Sequence, residues 1–217
     1  MEEKIFAKGY CLAKIFIFFL IGCLIGTYYE EILWFVRFNE VVDRQGLIYG
    51  PFSPIYGVGV SIFVIFLGKH NDERSIWKTL IYASLIGGGT EFATSWIADV
   101  VFGVEFWNYT GYFLNIAGRT TIPFMIGWGI GGTFLMKVIY PFISKWIEKI
   151  PYHIAHPIYI VVVILLMIDI IITYSAFGRM ALRNNGVEPY TFIGELMDEY
   201  YTNEFMYDRF PVMSPGN

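Results

Sequence analysis

Acidic side chains within apolar runs are the residues of this chain that could do chemistry. Glu30 and Glu91 each lie in a long apolar segment, and Asp169 lies in a third. An ionisable group at membrane depth is costly, so each such residue is a hypothesis for a functional site. Glu30 or Glu91 could bind a polar substrate or act as a general base. Asp169 has no glycine stripe beside it and no evident partner, so it is not counted among the candidate pocket residues.

Two polar, glycine-rich segments lie next to these acids. Residues 44–57 read RQGLIYGPFSPIYG, and residues 107–119 read WNYTGYFLNIAGR. Glycine permits tight turns and proline excludes regular helix. Irregular backbone is tolerated at membrane depth only where protein buries it or water reaches it. An aromatic belt with turns would explain the Trp and Tyr residues, but not the glycines, prolines and arginines beside them.

These features together predict an outward-facing polar pocket for an anionic or amphipathic small molecule or lipid. Arginine presents a planar fork that binds carboxylate or phosphate, and the tyrosine and tryptophan rings suit a lipid or aromatic group. The candidate pocket residues are Glu30, Arg44, Tyr49, Tyr56, Glu91, Trp107, Tyr109, Asn115, Arg119 and Trp128.

Small residues share a helical face with each glutamate. Gly22, Gly26 and Glu30 recur every four residues, as do Gly87 and Glu91. That spacing places them on one face of a helix, and small residues let another helix approach closely. We expect the two stripes to pack on each other, with both glutamates turned toward a shared cavity.

The composition requires a membrane. Hydrophobic residues make up 56% of the chain and charged residues 16%, against about 25% charged residues in soluble domains. A helix needs about 20 apolar residues to cross a bilayer. The sequence predicts an all-α integral membrane protein with about five transmembrane helices and two irregular or re-entrant segments on one face. The predicted spans are 12–36, 53–67, 77–102, 121–143 and 154–177.

Basic residues orient these spans. All the lysines and Arg74 fall on one side, and the other arginines fall on the opposite side. The positive-inside rule then predicts a multi-pass plasma membrane protein with a cytoplasmic N-terminus and an extracellular C-terminus. Residues 1–183 form the predicted transmembrane domain, and residues 184–217 an acidic amphipathic tail. In that tail Phe192, Leu196 and Tyr200 are spaced for one helical face.

Other site classes lack a sequence signal. No basic patch suggests nucleic acid, and neither a metal cluster nor a cofactor motif is expected. Cys11 and Cys23 are separated by roughly 18 Å if both lie on one helix, which is too far for a disulfide. The sequence by itself shows no clear internal repeat.

Several motifs nevertheless resemble a known family. They are Tyr29-Glu30, segment 44–57, Glu91, Trp107-Asn108-Tyr109, segment 113–119 and Gly127-Trp128-Gly129. Together they resemble the ABC-transporter type IV (CmpB-like) permeases over roughly residues 10–145. The resemblance implies a membrane permease. Because the chain has no Gly-x-x-x-x-Gly-Lys-Ser/Thr motif, an ATPase would have to be a separate chain.

Three functions fit these observations. The first is a permease or transporter subunit, which at this size would need a homo-oligomer or another partner chain and would contact membrane lipid. The second is a membrane-embedded enzyme acting on a lipid-linked substrate at the outer leaflet, with Glu30 or Glu91 as base and the arginines holding a phosphate. The third is a structural or regulatory membrane subunit.

Overall fold

The computed structural model describes residues 5–102 and 108–211, and this part of the chain is mostly helical. Trp107 lies outside the described residues. The elements are α1 (Leu12–Phe38), α2 (Pro54–Leu67), α3 (Ile76–Phe102), β1 (Asn115–Ile116), β2 (Thr120–Thr121), α4 (Ile122–Phe134), a π-helical turn (Leu135–Ile139), α5 (Tyr140–Ile147), α6 (Tyr152–Asn184), α7 (Phe192–Tyr200) and α8 (Asn203–Arg209).

The prediction of a helical membrane protein is confirmed. Three described helical runs are long and apolar enough to cross a membrane, namely Leu12–Phe38, Ile122–Ile147 and Tyr152–Asn184. Helix α2 has 14 residues and is therefore about 21 Å long, which is less than a bilayer core of about 30 Å. The count of five spans and the re-entrant segments remain predictions. The β structure in the described residues is a short antiparallel pairing of β1 with β2 and an isolated bridge between Ile5 and Pro151.

Local signals explain where the helices begin and end. Pro54 opens α2, where its missing N–H would have no helical partner in any case. Thr121 caps α4 by accepting a hydrogen bond from the Phe124 N–H at 3.1 Å. Asn39, which follows α1, has a φ of 57°, a left-handed conformation typical of helix ends.

The chain forms two compact units. The first unit comprises Met1–Phe18 and Gly59–Tyr152, and the second comprises Phe19–Val58 and His153–Asn217. Glu91 lies in the first unit, and Glu30 and Asp169 lie in the second.

In the first unit, glycines bring α3 and α4 close together. A Cβ at Gly129 would lie 2.0 Å from Ser84 Oγ and 3.0 Å from the Leu80 carbonyl oxygen. A Cβ at Gly87 would lie 2.3 Å from the Trp128 Cβ. The prediction that glycines permit close helix packing is confirmed for this pair. The packing of the α1 and α3 stripes on each other remains a prediction.

In the second unit, the C-terminal tail packs on α6. One buried cluster joins the loop after α1, helix α6 and the tail; its members are Ile48, Ala176, Met180, Met197, Tyr201, Met206 and Phe210. Helix α7 is present, but its predicted apolar face is largely exposed: Phe192 is 76% exposed and Tyr200 60%. The side chain of α7 that is buried is Met197.

Two arginines of α6 hold the tail by one carboxylate. Arg179 donates to Asp198 Oδ2 at 2.7 Å, and Arg183 donates to Asp198 Oδ1. Arg183 also donates to the Tyr201 carbonyl oxygen at 2.7 Å. The hydrogen bond from Arg179, together with that from Arg183, holds the pKa of Asp198 below its usual range despite partial burial, which opposes the shift. Both arginines therefore have partners within the unit.

The glycine contact predicts a selective effect of added methyl groups. Gly129→Ala places a methyl group against Ser84 and the Leu80 carbonyl, so we expect α3 and α4 to separate, with a loss of about 1–3 kcal/mol. Gly131, where an added methyl group would meet no described atom within 4 Å, is the matched control. Its replacement by alanine costs nothing and can add up to about 1 kcal/mol through helix propensity. Thermal unfolding in detergent measures both, and equal melting temperatures would contradict the packing.

The Asp198 contacts predict acid sensitivity of the tail. Since the pKa of Asp198 is lowered on folding, its stabilisation is complete above the ordinary aspartate pKa of about 3.9 and is lost as pH falls through the lower folded value. We expect Asp198→Asn to weaken tail packing by on the order of 1–3 kcal/mol at pH 7 and to remove this acid-dependent loss. Hydrogen exchange across residues 192–210, followed as a function of pH, measures the stability of the tail packing. Glu199→Gln, the exposed neighbour, should behave as wild type.

Candidate functional site

The Glu30 cluster consists of Glu30, Trp34, Arg44 and Tyr56 in the second unit. Arg44 donates from Nε at 2.9 Å and from a terminal nitrogen at 2.5 Å to Glu30 Oε2. The Tyr56 hydroxyl donates to Glu30 Oε1 at 2.6 Å. The Arg44 guanidinium also lies over the Trp34 ring, 4.9 Å from its centre. Both carboxylate oxygens therefore have a donor, and the charge of Glu30 is balanced locally.

Two glycines allow this cluster to form. Gly26 lies one turn before Glu30 on α1, and a Cβ there would be 2.2 Å from the Tyr56 Cγ. Gly57 follows Tyr56 on α2, and a Cβ there would be 2.7 Å from the Phe19 carbonyl oxygen. The Tyr56 ring thus fits only because Gly26 has no side chain, and its hydroxyl then reaches Glu30. Within this unit, Gly26 therefore faces the Tyr56 ring of α2.

The Asp169 cluster comprises Asp169 and Thr173 on α6 and the backbone of residues 48–49. Asp169 is 6% exposed and accepts hydrogen bonds from the Tyr49 N–H at 3.1 Å and from the Thr173 hydroxyl at 3.2 Å. Thr173 in turn accepts from the Ile48 N–H at 3.0 Å. The interpretation that Asp169 lacks a partner is therefore wrong. Its spacing of four residues from Thr173 was the available signal.

Tyr49 connects this loop to the tail. Its hydroxyl lies 2.9 Å from the Tyr201 hydroxyl, and burial, together with that hydrogen bond, raises the pKa of Tyr201 to about 12. Arg209 donates to the Ile48 carbonyl oxygen at 2.7 Å. The first polar segment is thus held by α6 on one side and by the tail on the other.

A cavity of about 450 Å³ lies beside the Asp169 cluster within the second unit. Its walls are mostly apolar, and they include Leu20, Phe52, Leu166 and Ile172 as well as Tyr49 and Asp169. A cavity with apolar walls and few polar groups suits an amphipathic ligand.

The Glu91 cluster consists of Glu91, Tyr109 and Thr120 in the first unit. The Tyr109 hydroxyl donates to Glu91 Oε1 at 3.0 Å, and the Thr120 hydroxyl donates to Oε2 at 2.6 Å. Burial, together with the bond to Glu91, raises the pKa of Tyr109 to about 12, so this hydroxyl stays a donor at neutral pH. Among the described residues, no basic side chain pairs with Glu91.

Arg119 binds α3 at Ser95 and Asp99, one and two helical turns after Glu91. It donates to the Ser95 carbonyl oxygen at 3.0 Å and to Asp99 Oδ2 at 2.5 Å. The sequence predicts Arg119 as a residue of an anion-binding pocket, and Asp99 is not among the predicted pocket residues. In the structure these two residues form an ion pair with each other.

The second polar segment is an ordered turn that positions Tyr109. Asn115 donates to the Tyr112 carbonyl oxygen and accepts from the Gly118 N–H, both at 3.0 Å. Gly118 has a φ of +69°, and its carbonyl oxygen accepts from the Tyr109 N–H at 2.7 Å. Asn115 therefore acts here on the backbone of its own loop.

The structure thus divides the predicted pocket residues by unit. Glu30, Arg44 and Tyr56 lie together, and Glu91 and Tyr109 lie together. Tyr49 hydrogen-bonds to Asp169 and Tyr201, and Trp128 packs on Gly87. Sequence reasoning missed Thr120 and the carboxylate partner of Arg119. A cavity shared by Glu30 and Glu91 remains a prediction. Among the described residues no group of three or more His, Cys, Asp or Glu side chains is arranged to hold a metal ion.

Comparison with known proteins identifies a family. The family model described as "Putative ABC-transporter type IV" matches residues 17–174, a range that includes Glu30, Glu91 and Asp169. No curated protein and no solved structure matches the chain.

The Glu30 cluster predicts strong coupling between its charged members. Glu30→Gln or Arg44→Ala alone should each lower stability, because either leaves a partly buried charge without its partner; we expect about 3 kcal/mol or more. The double variant should lose much less than the sum of the two. Thermal unfolding in detergent measures the cycle. Glu31→Gln, which removes the same charge at the next position, should change little, and additive losses would contradict the pairing.

Proposed function

We propose that this chain is the membrane subunit of a transporter, because it belongs to the ABC-transporter type IV family. The observation that carries the proposal is the family match over residues 17–174, which includes α2 to α5, most of α1 and α6, and both polar segments. The apolar helices support the membrane part of the proposal.

The proposed arrangement has five spans. Helices α2 and α3 are added to the three runs that are long and apolar enough to cross a membrane. The lysine distribution then favours a plasma membrane protein with a cytoplasmic N-terminus and an extracellular C-terminus. In that arrangement both polar segments lie on the outer side.

The proposed ligand is an amphipathic small molecule or a lipid. An anionic group would have to displace Glu30 from Arg44 or Asp99 from Arg119, since both arginines form ion pairs. The apolar cavity of about 450 Å³ beside Asp169 supports an amphipathic ligand instead. Its polar wall offers the Asp169 carboxylate and the Tyr49 side chain.

Transport of this kind would take its energy from another chain. The sequence contains no Gly-x-x-x-x-Gly-Lys-Ser/Thr motif, so the proposed complex includes a separate ATPase subunit. Five spans are few for a whole translocation path, and a homo-oligomer or a second membrane chain would complete it.

Purification from native membranes in mild detergent tests this function. We expect the tagged chain to retain a nucleotide-binding ATPase that mass spectrometry identifies by its own phosphate-binding motif. We also expect the complex to hydrolyse ATP in proteoliposomes, with a several-fold higher rate in lipid that carries the transported amphiphile.

The control is an unrelated membrane protein of similar size that carries the same tag. If no ATPase is retained specifically, and cross-linking in intact membranes before extraction also captures none, the proposed complex is wrong.

A further inference from the structure

The contact between a glycine and an aromatic ring occurs twice in this chain. In the second unit a Cβ at Gly26 would lie 2.2 Å from the Tyr56 Cγ and 2.3 Å from its Cβ. In the first unit a Cβ at Gly87 would lie 2.7 Å from the Trp128 Cγ and 2.3 Å from its Cβ. In both cases the glycine precedes a glutamate by four residues, Glu30 in one and Glu91 in the other.

A second contact repeats in the same way. Gly57 follows Tyr56, and a Cβ at this glycine would lie 2.4 Å from the Cys23 Sγ and 2.7 Å from the Phe19 carbonyl oxygen. Gly129 follows Trp128, and a Cβ there would lie 2.0 Å from the Ser84 Oγ and 3.0 Å from the Leu80 carbonyl oxygen.

These contacts define two constant offsets in the sequence. Leu80, Ser84, Gly87 and Glu91 lie 61 positions after Phe19, Cys23, Gly26 and Glu30, respectively. Trp128 and Gly129 lie 72 positions after Tyr56 and Gly57, and the same offset relates Pro123-Phe124 to Pro51-Phe52 and Gly131 to Gly59. Two helix pairs with matching internal contacts and constant offsets are what a duplicated hairpin produces.

The copies differ in where the arginine binds. Arg44 pairs with Glu30 and lies over Trp34. At the same 61-residue offset, the counterpart of Trp34 is Ser95. Arg119 binds Ser95 and Asp99, so it does not take the place at Glu91 that Arg44 takes at Glu30. Within the described part of the chain, Glu91 accepts instead from two hydroxyl groups.

We propose that the helix pair α1 and α2 (residues 19–38 and 54–59) and the helix pair α3 and α4 (residues 80–102 and 122–131) are two copies of one helical hairpin. In each copy the glutamate is a binding site for an N–H-bearing cation. The Arg44 guanidinium fills this site in the first copy. In the second copy, Glu91 takes an ammonium or guanidinium group from a ligand. The role of this site in transport rests on the proposed function, but binding at Glu91 is measurable without an ATPase.

The geometry of the second copy fits such a ligand. An ionised carboxylate has about four acceptor positions, and Tyr109 and Thr120 each use one. Glu91 is partly exposed, so a small cation can reach the remaining positions. A charge-assisted hydrogen bond from an ammonium group to a carboxylate is roughly twice as strong as one between neutral groups.

Thermal unfolding of the purified full chain in detergent, with added methylammonium chloride, tests the site. We expect the melting temperature of the wild type to rise by about 3–6 °C at a tenfold excess over the dissociation constant. Sodium chloride at the same concentration should give no comparable rise. Glu91→Gln keeps the shape of the side chain: its amide oxygen can accept from one of the two hydroxyls and its amide NH₂ can donate to the other. This variant should lose the rise, whereas Glu31→Gln should keep it.

Equal shifts with sodium and methylammonium would overturn the proposal, because they would reflect screening alone. So would a rise that Glu91→Gln retains. Because transport is not measured, these results stand apart from a failure to find an ATPase.

The source of the cation is distinguished by lipid composition. Nanodiscs with phosphatidylethanolamine are compared with nanodiscs of phosphatidylglycerol with the same acyl chains, with and without free ethanolamine. If the melting temperature rises in a Glu91-dependent way with phosphatidylethanolamine but not with free ethanolamine, the ligand is a lipid headgroup. If free ethanolamine in phosphatidylglycerol nanodiscs also raises the melting temperature in a Glu91-dependent way, the ligand is a soluble amine. If no arm shows a Glu91-dependent rise, the proposed site is wrong.

The first copy supplies an independent test that leaves Glu91 unchanged. Arg44→Ala removes the internal cation, so added methylguanidinium should raise the melting temperature of this variant more than that of the wild type. If the Arg44→Ala protein folds only when methylguanidinium is present during purification, and then unfolds when methylguanidinium is removed by dialysis, the expectation is also met. An equal response of the variant and the wild type would contradict the equivalence of the two glutamates.

Discussion

The rest of the structure depends on one constraint: a carboxylate within an apolar helix must find its hydrogen-bond donors inside the protein. Water satisfies such a group at a soluble surface, but a bilayer does not. Glu30, Glu91 and Asp169 meet this requirement with different donors. Glu30 has a guanidinium and a phenol, Glu91 has two hydroxyls, and Asp169 has a backbone N–H and a threonine hydroxyl. Each set of donors dictates where a loop must pass.

The polar segments therefore have a structural role before any functional one. Their irregular backbone brings donors to the acids, which a regular helix could not do from the same positions. Gly118, with positive φ, closes the turn that carries Tyr109 to Glu91. Close helix packing at glycine also brings a donor to an acid, because Gly26 leaves room for the Tyr56 ring, whose hydroxyl reaches Glu30. A loop that satisfies an acid in this way is also the part of the chain closest to it, and so it is positioned to respond when a ligand replaces one of its donors.

The sequence predicted the helices and the polar segments because both have local signals: apolar length in one case, glycine and proline in the other. Periodicity placed Gly26 and Glu30 on one face of α1, but a face does not identify its neighbour, so the aromatic rings that cover Gly26 and Gly87 were not predicted. Asp169 lacked an evident partner because its donors include the backbone of residues 48–49, far away in the sequence. The tail helix α7 was predicted from spacing, but spacing alone does not say whether the face that carries Phe192 is covered by the rest of the chain, and in the structure Phe192 is exposed.

The duplication escaped sequence reasoning for a related reason. Few identities join the two hairpins, and they occur at an offset of 61 in one helix and 72 in the next, so no single shift of the chain against itself aligns them. Only the repeated contacts at Gly26 and Gly87 bring the two offsets together. Packing explains the features that both copies keep, such as the glycines. Packing alone does not explain a difference between the copies. The glutamate is kept in both copies while its cation is kept in one. An acid retained without its partner carries a desolvation cost that neutral replacement would remove, and occupation of Glu91 by a ligand's positive charge would offset that cost.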